Sequence, residues 1–157
     1  MPGRRGKCGP DLRALAPPRP AELHIRRDWR RPNSAHRPEL PGNSFKPGVL
    51  PAPGETVIAK QTDSAIIGTD LEALLRRDGL GDLVTAGVTT KNSVEATVRT
   101  AANLGLRVCL AEDACFTFAR GDWGGRWRGA EEVDDMLLAN LAGQYRAVVS
   151  TARLLAD

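Results

Sequence analysis

Much that would specify a function class is missing from this chain. Aromatic side chains are few, 4% of 157 residues. No apolar run approaches the roughly 18 residues that a membrane-spanning helix needs, so no membrane span is expected. Arg4 and Arg5 stand near the start, but no apolar stretch follows them, which argues against a secretory signal. Cysteine is sparse and odd in number: Cys8, Cys109 and Cys115 show no metal-like spacing. Free thiols in a reducing, cytoplasmic setting are the expectation, not a disulfide framework. No RNP-like, helix-turn-helix or zinc-finger pattern is present, so nucleic acid is an unlikely partner. No internal repeat occurs.

Proline is absent after residue 53, although the chain has 11. Charge divides at the same place. Residues 1–54 hold 11 Lys/Arg against 4 Asp/Glu, whereas residues 55–157 hold 11 against 15. The basic excess therefore belongs to the front third. We read residues 1–21 as an irregular, basic, proline-rich segment and residues 22–157 as the domain. Residues 27–54 read as one long loop, which in a compact domain is either functional or a sign of something missing.

What is there is regular. Strand patterns occur at 22–26, 56–60, 82–88, 107–112 and 145–150. Between them lie helical patterns at 68–79, 92–105 and 130–143, with a last helical turn in "TARLLA". Asp70 stands near the first helix start. Leu71, Leu74 and Leu75 share a face of that helix, Val94, Val98, Ala101 and Ala102 one of the second, and Val133, Met136, Leu137 and Leu141 the inner face of the third. Strands alternating with helices indicate an α/β fold with a parallel sheet. Ligands then sit at the C-terminal ends of strands. Lys60, the Gly87–Ser93 turn and the loop from Asp113 to Trp127 lie there.

Three segments carry a resemblance: "VIAKQTDSAIIGTDLEALL", "AGVTTKNSVEATVRTAANLG" and "VCLAEDACFTF". In order and spacing they resemble the isochorismatase-like hydrolases, a cysteine hydrolase superfamily that includes nicotinamidases, N-carbamoylsarcosine amidohydrolases and isochorismatases. The resemblance covers roughly residues 22–157. It implies a three-layer αβα sandwich around a mainly parallel, Rossmann-like sheet. The implied reaction is hydrolysis of a small amide or related carbonyl compound, with no cofactor. The family's usual set is an Asp from the first strand, a Lys and a Cys at a helix N-terminus, where a thiolate is favoured. Carried over, the lysine is Lys60, the cis-peptide position is Val88–Thr89, the N–H groups of Thr89 and Ser93 line an oxyanion hole, and Ser93 takes the nucleophile position.

The chain departs from this pattern twice. Ser93 stands where the family has Cys, and a serine hydroxyl needs an adjacent base. No apolar run ending in Asp precedes residue 22, and the only acid there is Asp11. The first strand is thus expected to be missing and the domain N-terminally incomplete. Its absence would open the core and leave strand edges unpaired. A second functional reading follows, of a catalytically impaired or truncated member acting only as a binding or oligomerisation module.

Other residues carry further expectations. Asp28 and His36, with His24, suggest a metal, but Arg30 stands where a nicotinamidase-like site would want His; no metal is expected. Cys115 lacks a helix N-terminus or cation beside it and reads as a packed thiol. Phe45 could wall the substrate mouth. Trp123 and Trp127 could anchor a lid over a small-molecule substrate or a homo-oligomer contact, with Arg126 or Arg128 as an anion clamp.

Overall fold

The computed structural model describes residues 21–29, 31–142 and 148–156. Strand β1 (Leu23–Arg27) is followed by a long connection with two short 3-10 turns, and then by β2 (Thr56–Lys60). Helix α1 (Leu71–Arg77) leads to β3 (Asp82–Val88). A π-helical turn (Thr90–Val94) runs directly into α2 (Glu95–Asn103). The long strand β4 (Arg107–Phe116) precedes a small hairpin, β5 (Arg120–Gly121) and β6 (Trp127–Arg128). Helix α3 (Ala130–Leu141), strand β7 (Val148–Val149) and helix α4 (Thr151–Leu154) complete the described chain. The segments predicted from residues 1–20 and 143–147 lie outside the described residues. No helix among the described residues is long and apolar enough to cross a membrane.

The sheet is parallel but interrupted. β1 pairs with β2, from Leu23 opposite Thr56 to Arg27 opposite Lys60. β3, β4 and β7 form a separate parallel sheet in that order. Both pieces pack on one apolar cluster. Its buried members include Leu71, Leu75, Val94, Val98, Val108 and Leu110, and Leu23, Ile25, Ile58 and Leu83 pack against it. The expected helix faces follow: Leu71 and Leu75 of α1, and Val98 and Ala101 of α2, are buried.

Two local expectations need correction. Met136 of α3 is 64% exposed, not inward; the buried positions of that helix are Asp134 and Leu141. Asp70 stands at the N-cap of α1 as expected, though without a side-chain cap; Thr69 Oγ1 accepts from the Leu71 N–H at 3.3 Å. The stretch from Asp113 to Trp127 is not one loop. β4 continues through it to Phe116, and a hairpin follows. β4 goes on because its register with β3 slips: Thr85 faces Leu110, but Gly87 faces Cys115. The extra residues bulge from the ladder. Asp113, within the bulge, accepts from the Thr151 N–H at 2.8 Å and its hydroxyl at 2.7 Å, so it fixes the start of α4.

Candidate active site

The two ladders of β1 and β2 end side by side on cations. Arg27 lies opposite Lys60, and the Asp28 N–H donates to the Lys60 carbonyl at 2.8 Å. Lys60 is 4% exposed, so it is not the solvated strand-end lysine that its type alone would suggest. Its Nζ donates to the Asp63 carbonyl at 2.5 Å. Burial, helped by the neighbouring Arg27 charge and opposed by Asp63, lowers its pKa to about 8.

The turn after β3 meets these cations. The Val88–Thr89 peptide is cis. Thr89 opens the π-helical turn in extended backbone, and Ser93 falls in its last-but-one position. Arg27 Nη2 donates to Ser93 Oγ at 3.1 Å and also contacts the Asp63 carboxylate. Its guanidinium stacks over Trp29, 4.8 Å from the ring centre. A second link holds the turn in place. Thr97 Oγ1 donates to the Ser93 carbonyl at 2.6 Å and accepts from the Ala65 N–H at 2.9 Å. The segment after β2 is thereby tied to the first turn of α2. Lys60, Arg27, Asp63 and Ser93 converge from three chain segments.

Arg27 and Asp63 were missed in the sequence. The register supplied a signal for Arg27: it ends β1 as Lys60 ends β2. For Asp63 the signal was weaker, an acid three residues past a strand-end lysine. Lys60 thus has a carboxylate nearby even without a first-strand Asp. Asp63 acts on it through space, although it bonds Arg27 instead.

The remaining candidates are placed as follows. Cys115 is buried, and its thiol is pushed up to about 12, chiefly by burial, so it is not ionised near neutral pH. Cys109 is also raised by burial. Phe45 packs edge-on against His24, with ring centres 5.8 Å apart. His24 and Arg27 are three positions apart on one strand and so project to opposite faces. Phe45 is thus held on the face away from Arg27. Trp123 and Trp127 lie on the hairpin and are fully and largely exposed. Asp28 accepts from Arg26 at 2.8 and 3.0 Å and from Asn43 at 2.9 Å, while His36 is exposed. A different set, Glu22, His24 and Glu55, gathers at the start of β1 and β2; His24 Nε2 lies 2.8 Å from Glu55 and 3.6 Å from Glu22.

Comparison with known proteins identifies the family. Residues 16–153 match the Isochorismatase domain family. A crystal structure of an isochorismatase-family protein from Chromobacterium violaceum superposes with a TM-score of 0.83 at 63% identity, covering 85% of this chain and 69% of that one. An isochorismatase family protein of Bacillus subtilis is 30% identical over 86% of this chain and 72% of its own length. A ureidoacrylate amidohydrolase of Variovorax paradoxus is 31% identical over 55% of this chain and 40% of its own length. The chain belongs to the isochorismatase family of hydrolases and carries that family's α/β sandwich domain.

Proposed function

We propose that the site hydrolyses a small amide or related carbonyl compound, with Ser93 and Lys60 as catalytic residues. The observation that carries this reading is the arrangement at the strand ends: a serine at a helix start, its Oγ held by Arg27, whose ladder partner Lys60 is a buried amine of pKa about 8. Ser93 Oγ attacks the carbonyl carbon. Neutral Lys60 accepts the hydroxyl proton and returns it to the leaving nitrogen. The N–H groups of Thr89 and Ser93 stabilise the oxyanion. Water then releases the acyl group from Ser93. Support for an amide comes from the amidohydrolase relative. Turnover of a panel of small amides, read as released ammonia or amine, tests it. Ser93→Ala and Lys60→Met are expected to lower the rate about 100-fold or more. The wild-type rate is expected to climb as pH passes through about 8, where Lys60 loses its proton. Variants that match the parent would remove both residues from the mechanism.

The same reading extends to assembly and location. Phe116, Phe118, Trp123 and Trp127 are all exposed, and Phe116 meets Phe118 edge-on at 5.8 Å. These rings are the surface through which two copies would associate, and Trp123 and Trp127 the side chains that would border substrate. Sedimentation of the wild type against Trp123→Ala decides the first point. Unpaired Cys109 and Cys115 support a reducing cytoplasm.

A further inference from the structure

The start of the β1–β2 ladder carries an arrangement that the proposed hydrolysis does not use. Leu23 pairs with Thr56, so one residue earlier Glu22 and Glu55 come level on neighbouring strands. Strands stand about 4.8 Å apart, and like charges set opposite one another at that spacing repel. His24 shares a face with Glu22 by strand alternation. Its Nε2 lies 2.8 Å from Glu55 Oε2 and 3.6 Å from Glu22 Oε1. All three donor atoms fall within 4.8 Å of one another.

A proton on His24 holds only part of this group. Both acids address the same ring nitrogen, one N–H serves one acceptor well, and 3.6 Å is beyond hydrogen-bond reach. A divalent ion engages all three side chains at once. Ligand atoms about 2.1 Å from a tetrahedral Zn2+ are about 3.4 Å apart, and the two distances to Nε2 lie on either side of that value. The ring is also set in advance: His24 is 9% exposed, and Phe45 meets it edge-on. Glu55 Oε2 accepts from the Ala52 N–H at 2.6 Å, an outer bond of the kind that orients a ligating carboxylate. The two acids are open enough to admit an ion. Glu22 and Glu55 are 31% and 23% exposed, and both residues contribute to the lining of a cavity of about 240 Å³. Arg77, which also lines that cavity, is bonded to Asp78 at 2.7 and 2.9 Å.

We infer that Glu22, His24 and Glu55 form a binding site for Zn2+, with water as the fourth ligand. One imidazole and two carboxylates are donors that zinc accepts. The ion is a staple, not a catalyst. Glu55 stands five residues before Lys60, about 16 Å along an extended strand, so the site is remote from Lys60. It clamps the two-stranded β1–β2 piece, marginal by itself, at the end opposite to Arg27. It is also distinct from Asp28 and His36, the pair that the sequence suggests, since Asp28 is bonded to Arg26 and Asn43. The inference goes beyond the hydrolase reading and does not rest on it.

The test titrates Zn2+ alone into the full chain, read by equilibrium dialysis and by amide hydrogen exchange. One ion per chain is expected to bind well below millimolar Zn2+, to slow exchange across 22–27 and 52–57, and to raise the unfolding temperature. Glu22→Gln and Glu55→Gln keep the shape of each side chain, and the latter keeps an acceptor for the Ala52 N–H. Each is expected to weaken binding about 100-fold, whereas His36→Ala should leave it unchanged. Co2+ in place of Zn2+ should show visible bands of nitrogen and oxygen ligation, without a near-ultraviolet thiolate band. No uptake below millimolar Zn2+ overturns the proposal, because a protonated His24 then suffices. Uptake that leaves exchange in those two segments unchanged, or that survives both Gln variants, overturns it as well. Loss of binding in His36→Ala would move the ion to the loop after β1, and a thiolate band would move it to cysteine; either outcome sinks the site. Because no arm reads turnover, an inactive protein that binds Zn2+ here leaves this inference intact and sinks only the hydrolase mechanism.

Discussion

Lys60 is the residue on which burial and chemistry meet. Its ordinary pKa of 10.5 falls to about 8 in the folded chain. An amine that holds its proton less tightly when folded leaves the unfolded chain binding more protons between those two values. Stability therefore rises with pH across about 8 to 10.5, and below about 8 the buried charge exerts its full cost. The gain is up to about 3 kcal/mol. Urea unfolding of the wild type at pH 7, 8.5, 9.5 and 10.5, set against Lys60→Met, isolates the term. The wild type should gain on the variant over that window, and a constant difference would show that the ammonium is not desolvated. Ser93 contrasts with Lys60: it is half-buried, and its hydroxyl is held by an arginine that donates but cannot accept. A base must come from elsewhere, and in the proposed mechanism that base is Lys60.

At the scale of elements, the turn after β3 depends on one backbone conformation. Gly87 has φ +136°, where the ladder slips its register and just ahead of Val88. A Cβ there meets no atom within 4 Å, so Gly87→Ala tests the backbone alone. It should cost about 1–3 kcal/mol in strain and speed amide exchange through 88–93. An unchanged unfolding midpoint would mean that the bulge relaxes freely. The sequence made β2, β3 and the cores of α1 and α2 legible because their apolar spacing is strongly periodic and ends on turn residues. It did not show β4 running on to Phe116, because "AEDACF" places acids within the strand. Only the bulge and the Asp113 bonds to Thr151 account for them. Met136 faces outward for a related reason. It lies on a plausible apolar stripe, but the α3 face that turns inward carries Asp134. Arg27 stayed hidden among the arginines of the front third, since charge type alone does not say which of them ends a strand beside Lys60.

Across the whole molecule, the two sheet pieces share a core but not a ladder, and their anchoring differs. Leu110 of β4 is 2% exposed and sits between β3 and β7. Ile58 of β2 is only half-buried, in a two-stranded piece. A two-stranded unit is marginal alone and depends on packing against its neighbours. The β1–β2 piece should therefore open before the rest, as a partial unfolding of lower free energy. Leu110→Ala removes a methylene-rich side chain from the centre and should cost about 2–5 kcal/mol, with faster exchange in every strand. Ile58→Ala should cost less and, among the strands, accelerate exchange only in 23–27 and 56–60. The bonds from Arg27 to Ser93 and from Ala65 to Thr97 cross between the pieces, so the Ile58 variant should also loosen the start of α2 by way of residues 93–97. Native-state exchange in graded urea reads all of this at once. If every amide of both pieces shares one opening free energy, and Ile58→Ala lowers all of them equally, the break in the ladder has no energetic consequence and the domain unfolds as a single unit.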